Sequence, residues 1–340
     1  MSNSYDAILV VSFGGPEGPE DVIPFLENVL RGKNVPRERM LEVAEHYKQF
    51  GGVSPINEQN RDLIKALEQE LAEHGPHLPI FWGNRNWDPL LPDTLLQMKE
   101  AGINRAIAFF TSTFSSYSGC RQYREDIERA QEKVGAGVPK IDKLRVFFNH
   151  PGFIEATVLR TQEALNQIPE ERRDKATILY SAHSIPLAMA SGCRYEVQLQ
   201  ESARLVSQDL GGHPWHLVYQ SRSGPPQQPW LEPGVCDSIR GLGAQGDIQD
   251  VVIVPIGFVS DHMEVLFDLD TEAKEVGSEL GINVVRAKTV GVHPRFISMI
   301  RELIQERINN DKERLALGDM GASHDVCPVD CCLRTTVTRG

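Results

Sequence analysis

Apolar residues along this chain fall into short dense runs, separated by longer stretches in which they recur every three or four positions. The runs predict strands at 7–12, 80–83, 105–110, 144–148, 176–181, 216–220, 250–255 and 283–287. The periodic stretches predict helices, among them 61–73, 195–209 and 296–309. This alternation implies an α/β protein with parallel sheets. The longest apolar run, 251–259, is broken by Pro255 and Gly257. A membrane-spanning helix needs roughly 20 apolar residues, so no integral membrane segment is expected.

The pattern occurs twice. Ile8-Leu9-Val10-Val11-Ser12-Phe13-Gly14-Gly15-Pro16 reads like Ile178-Leu179-Tyr180-Ser181-Ala182-His183-Ser184-Ile185-Pro186. Trp82-Gly83-Asn84-Arg85 reads like Tyr219-Gln220-Ser221-Arg222, and Phe110-Thr111-Ser112-Thr113-Phe114-Ser115-Ser116 like Val254-Pro255-Ile256-Gly257-Phe258-Val259-Ser260. His150-Pro151-Gly152-Phe153-Ile154 reads like His293-Pro294-Arg295-Phe296-Ile297. The four matches keep their order and sit at or near strand ends. We therefore expect two similar Rossmann-like domains, each with a four-stranded parallel sheet flanked by helices. The first would span 1–170 and the second 175–310, joined through the polar stretch 167–174. A C-terminal extension, 311–340, lies outside both repeats. Open α/β sheets bind ligands at the carboxyl ends of their strands, so a cleft between two such ends is the expected site.

Composition narrows the class. In 340 residues, 41% are hydrophobic and 24% charged, the balance of a globular protein. The net charge of −12 disfavours nucleic acid as a partner. The N-terminus has neither a basic start nor an apolar core, so no secretory signal is expected and the cytoplasm is the default. Six cysteines are too few for a disulfide scaffold at this length and point to thiols or metal ligands.

Several residues carry candidate chemistry. His183 stands where the first repeat has Phe13, and imidazole serves as a base near neutral pH or as a metal ligand. Asp261-His262-Met263-Glu264 follows another strand of the same half. Glu264, Asp268 and Glu272 are spaced i, i+4, i+8, which on a helix puts three carboxylates on one face. A divalent cation would relieve their repulsion; a solvated acidic face, or acidic residues in a first helical turn, is the plainer reading. Cys327, Cys331 and Cys332 fall within six residues of the tail, as zinc or iron–sulfur ligands would. Spacing leaves the fourth ligand open among Cys120, Cys193 and Cys236. The loops at Gly14-Gly15-Pro16 and Gly51-Gly52 fit neither nucleotide-binding glycine pattern. They suit close approach of a flat ligand, or tight turns. Arg31, Arg85 and Arg222 could meet ligand carboxylates, and no G-x-S-x-G element is present.

Taken together, Ser12-Phe13-Gly14-Gly15-Pro16, Gly51-Gly52-Val53-Ser54-Pro55-Ile56, Gly83-Asn84-Arg85-Asn86-Trp87, Ser181-Ala182-His183-Ser184-Ile185-Pro186, Tyr219-Gln220-Ser221-Arg222-Ser223-Gly224-Pro225 with Trp230-Leu231-Glu232-Pro233, and Pro255-Ile256-Gly257-Phe258-Val259-Ser260-Asp261-His262-Met263-Glu264 resemble the ferrochelatase family across nearly the whole chain. The resemblance implies a lyase that inserts ferrous iron into a porphyrin held between two Rossmann-like domains. It matches His183 and Glu264 to the pair facing the porphyrin centre, and Asp268 and Glu272 to a metal or proton path. By position it implies porphyrin contacts at Ser54, Tyr123, Arg31 and Tyr47. Some relatives carry a Tyr at the position of Phe13, where it ligates product iron; Phe cannot. The tail resembles family members with a 2Fe-2S cluster, whose ligands match Cys120, Cys327, Cys331 and Cys332. The segments Ser118-Gly119-Cys120-Arg121-Gln122-Tyr123 and Ser221-Arg222-Ser223-Gly224-Pro225-Pro226 look most like actinobacterial-type enzymes, which implies coproporphyrin III as substrate. Protoporphyrin IX is the rival substrate. A non-catalytic porphyrin or haem carrier with a redox-sensing cluster is the rival of another class. A monomer is favoured, and the cysteines Cys193 and Cys236 have no assigned role.

Overall fold

The computed structural model describes residues 4–33, 35–225 and 227–334; the end of the expected extension, 335–340, lies outside the described residues. The first half contains β1 (Ala7–Ser12), α1 (Val22–Leu30), α2 (Arg37–Gln49), α3 (Ile56–His74), β2 (Ile80–Asn84), α4 (Leu91–Glu100), β3 (Arg105–Phe110), α5 (Gln122–Val134), β4 (Lys140–Lys143) and α6 (Pro151–Leu165). After the short α7 (Glu170–Arg173) come β5 (Thr177–His183), α8 (Leu187–Ala190), α9 (Tyr195–Asp209), β6 (Trp215–Gln220), α10 (Val235–Gln245), β7 (Asp250–Val254), α11 (Met263–Val265), α12 (Ala273–Leu280), β8 (Asn283–Arg286) and α13 (Pro294–Asn309).

The strands form two all-parallel sheets, ordered β2-β1-β3-β4 and β6-β5-β7-β8. The duplication read from the sequence is thus a duplication of topology. β1 and β7 are fully buried, and β3 and β5 nearly so, as a parallel sheet covered on both faces requires. Leu9 and Val11 pack outward with Leu95 and Ile127; Leu179 and Ile253 do the same with Ile239 and Leu269. The inner faces share one core, in which Phe109, Phe147, Phe153 and Phe296 form a ring of edge and stacked contacts across both halves.

The fourth strand corrects the sequence reading. It lies at Lys140–Lys143, paired with Arg105–Ala108 of β3, and not at 144–148. The backbone N–H of Leu144 donates to the carbonyl of Ala108 at 2.9 Å, and there the ladder ends. The run 144–148 is apolar because it leaves the sheet and enters the shared core. The edge strand has one partner and a wetter face, so it shows no apolar run.

The repeated His-Pro pair is structural. His150 and His293 are the N-caps of α6 and α13, each followed by Pro in the first turn. Their Nδ1 atoms accept from the backbone N–H of Gly152 (3.1 Å) and Arg295 (3.2 Å). Burial drives the His150 imidazole down to about 3, which keeps it a neutral acceptor.

The two capped helices cross between the halves. α6 packs against α9, α13 and β7, while α13 also packs against α3. Arg145, with a fully buried side chain, grips Glu306 of α13 through bonds of 2.7 and 3.0 Å.

Candidate active site

β5 runs one turn of the pleat further than its apolar run, and His183 is its last residue, in register with Gln220 of β6. The His183 ring is fixed by its own neighbourhood. Its Nδ1 contacts the Ser184 carbonyl, and its backbone carbonyl accepts from the buried Tyr195 hydroxyl at 3.0 Å. The Ser184 N–H donates to the Gln220 carbonyl at 2.8 Å. Nε2 faces Glu264.

Across from it, β7 is followed by Pro255-Ile256-Gly257, a turn that passes close over β5. A Cβ at Gly257 would lie 2.7 Å from the Cα of Ala182, and the Gly257 N–H donates to the Ser181 carbonyl at 3.0 Å. This approach brings Glu264 to His183, with Oε2 and Nε2 3.6 Å apart. Their side chains keep 50% and 35% of their exposure, so a ligand can reach both. His262 Nδ1 lies 4.0 Å from the same carboxylate; burial pushes this imidazole down, against the pull of Glu264.

The acidic row lies on a wider helix than its spacing suggests. α11 passes into a π-helical segment, Leu266–Glu272, before α12 begins. Such single-turn widenings are rare and concentrate at functional sites. Asp268 is the hub of the row. Burial, with Glu264 and Glu272 close by, drives its carboxyl up to about 7, while bonds from Ser221 and Gln220 oppose that rise. Asp261 points elsewhere: it binds Arg286 at 3.0 Å, and its backbone N–H donates to Gln59 of α3 at 2.8 Å.

The first half contributes the opposite wall. α1 and α2 form an excursion whose apolar cluster, including Phe25, Met40 and Tyr47, receives Met263, the neighbour of Glu264. His46 of α2 stacks on Phe267 of the π-helical segment at 3.9 Å. Tyr47 is buried against Phe25, and burial with Glu264 nearby raises its hydroxyl well above the usual range. Ser54 is buried beneath the glycine turn after β1; a Cβ at Gly15 would lie 2.8 Å from the Ser54 Cβ. These glycines therefore permit close approach to the chain's own side chains. Tyr123 is buried between Phe110 (5.2 Å) and the Arg85 guanidinium (4.5 Å). Arg85 in turn is paired with Asp126. Arg31 is exposed and bonded to Asn28.

The tail folds back on the first half. Cys120, in the π-helical turn Tyr117–Arg121 before α5, is buried and lies beside Cys327. The closeness of the two thiols, with Lys143 and Arg124 beside them, holds the Cys327 thiol below its usual range and pushes Cys120 up. The sulfurs of Cys331 and Cys332 are 3.6 Å apart. Of the four thiols that the resemblance selects, Cys120 lies beside Cys327, and Cys332 beside Cys331, while Cys236 lies near Glu272. Cys193 stands beside Cys331 and Cys332, bonded to the carbonyls of Met189 and Ala190. Sequence reasoning missed His324, whose Nε2 is 3.8 Å from Cys331 Sγ. It also missed Gln220 and Ser221 as supports of Asp268. The sheet order alone reveals the latter two, because it sets β6 beside β5.

The sequence model of the ferrochelatase family, described as "Ferrochelatase", matches residues 5–308. The chain belongs to the ferrochelatase family. It is 60% identical over 331 residues to the ferrochelatase of Rhodopirellula baltica, covering 97% of this chain and 94% of that protein. It is 51% identical over 353 residues to the coproporphyrin III ferrochelatase of Streptomyces coelicolor, covering 97% and 94%. Among solved structures, SirB from Bacillus subtilis with Fe3+ shares the fold at a TM-score of 0.57 with 12% identity, covering 92% of this chain and 99% of that one. Membership in the family makes this chain a lyase of metal insertion, with Fe(II) and a porphyrin as its substrates. No helix among the described residues is long and apolar enough to cross a membrane.

Proposed function

We propose that this chain inserts Fe(II) into coproporphyrin III, with His183 and Glu264 as the groups at the porphyrin centre. The observation that carries the reading is the His183–Glu264 pair, 3.6 Å apart and partly exposed. It joins a strand end of the second sheet to a turn that packs on the first half. Insertion releases two pyrrole N–H protons and strips water from the incoming ion. A neutral imidazole accepts a proton or offers a lone pair to Fe(II), and the carboxylate supplies charge to the entering cation. Asp268 and Glu272 extend the acidic row away from this pair, and Asp268, at about 7, is suited to accepting and passing on a proton. Ser54, Tyr123, Tyr47 and Arg31 remain the proposed porphyrin contacts. Coproporphyrin is favoured because curated relatives at about half identity over nearly the full length carry that name.

We further propose that Cys120, Cys327, Cys331 and Cys332 hold a 2Fe-2S cluster. Their convergence, with cationic Lys143 and Arg124 favouring the thiolate form, fits such a group. When bound, the cluster would supply a one-electron centre and a cross-link from the tail to the first half. The chain is expected to act as a monomer in the cytoplasm, where its six free cysteines stay reduced.

The deciding experiment is anaerobic Fe(II) insertion with coproporphyrin III and protoporphyrin IX in parallel, followed by absorbance, in the parent chain and in His183→Ala. The expected result is faster turnover of coproporphyrin III and, in His183→Ala, a loss on the order of a hundredfold or more with porphyrin binding retained. Preference for protoporphyrin IX would move the enzyme to that substrate. Tight binding of either porphyrin without insertion would replace the reading by that of a carrier.

A further inference from the structure

The tail thiols include a histidine that the cluster reading does not use. Nε2 of His324 and the sulfurs of Cys327 and Cys331 all lie within 4.8 Å of one another. A tetrahedral ion with metal–sulfur bonds of about 2.3 Å and metal–nitrogen bonds of about 2.0–2.1 Å holds its donors roughly 3.5–3.8 Å apart. The His324 Nε2–Cys331 Sγ distance of 3.8 Å is already at that value. Cys120 lies beside Cys327 and is a further thiol able to offer a fourth donor. Cys332 is buried, its sulfur 3.6 Å from that of Cys331 and outside the trio of His324, Cys327 and Cys331.

The loop that carries these donors is held in place without any ion. Arg121 donates to the carbonyls of Val329 (2.7 Å) and Cys331 (3.0 Å). Asp325, next to His324, is gripped by Arg314 at 2.5 Å and by Arg307 at 3.3 Å. Little ordering is left for an ion to impose.

We propose that His324, Cys327 and Cys331, completed by Cys120, form a binding site for a single borderline divalent cation of the zinc class, distinct in ligand set from the cluster. One nitrogen and three sulfurs suit such an ion and not a hard cation. The site shares three thiols with the cluster, so the two occupants exclude one another. In a chain lacking its cluster, the ion closes the same bridge between the loop before α5 and the tail.

The test is an anaerobic Co2+ titration of the full chain stripped of iron and sulfide. Thiolate-to-cobalt charge transfer and the intense d–d bands of a tetrahedral ion report this site; a cobalt ion at His183 and Glu264 would give neither. One equivalent is expected to bind. His324→Ala should weaken binding by roughly tenfold or more and change the d–d bands, and His324→Cys should restore tight binding, which separates ligand loss from misfolding. Cys332→Ala should titrate like the parent chain. Unchanged titration of His324→Ala, or loss of the bands in Cys332→Ala, overturns the proposal. The cluster reading fails separately, if the purified chain holds no iron and inorganic sulfide, and the titration stands without it.

Discussion

At His183 and Glu264 the proposed chemistry depends on groups that hold the pair in place. Tyr195, Ser184 and Gln220 fix the strand end from which the imidazole projects. Asp268 sets the charge of the acidic row. Its folded-state carboxyl, at about 7, binds a proton more tightly than an ordinary carboxyl does. Its contribution to stability is therefore full at acid pH and is lost as the pH rises through about 7. Asp268→Asn is expected to raise the unfolding free energy well above pH 7 by roughly 1–3 kcal/mol, with the gain fading toward acid pH. Urea unfolding across that range measures it, and a gain independent of pH would rule out the titration of Asp268 as its cause. His183 was visible in the sequence as the residue that breaks the repeat. The distance from it to Glu264 was not, because it is made by two strand ends far apart in the chain.

At the scale of elements, the turn after β7 matters most. Gly257 passes against the backbone of Ala182 with no room for a side chain. Gly257→Ala is expected to destabilise the fold by about 1–3 kcal/mol and to slow insertion more than porphyrin binding, since the shift moves Glu264 from His183. Urea unfolding and single-turnover insertion read the two effects, and a slowed binding step with normal insertion would contradict this account. The π-helical segment Leu266–Glu272 was read as an ordinary helix because its spacing of acidic residues fits an α-helical face. Nothing local in Leu266–Glu272 marks the wider turn; its contacts with His46 and with Ser221 come from elsewhere in the chain. The misplaced fourth strand has the same origin. A buried connection and a buried strand look alike as apolar runs, and the edge strand hides because half of it meets water.

Over the whole molecule, the two halves are held together by exchanged helices and by the tail. The Arg145–Glu306 pair is the most buried of these links. Glu306→Gln leaves a buried guanidinium without its counter-charge and is expected to cost about 3–5 kcal/mol, measured by urea unfolding. A cost below about 1 kcal/mol would show the link to be dispensable. Residues 315–321 reinforce it, since Arg145 and Asn149 bond to the carbonyls of Leu315, Leu317 and Gly321. Cys327→Ser is expected to abolish the visible absorption of the purified chain. An unchanged spectrum would remove Cys327 from the ligands.

By itself the sequence determined the elements whose signals are local. These are the buried strands, the amphipathic helices, the doubled order of motifs and the cluster of tail thiols. Each is written in residues a few positions apart, where periodicity and turn chemistry act. Only the tertiary structure decided which strand ends face one another, that Asp261 belongs to Arg286, that α6 and α13 cross between halves, and that His324 joins the thiols. Those are distances between residues remote in the chain. They are set by the packing of the shared core and by the pairing of buried polar groups, which no local pattern records.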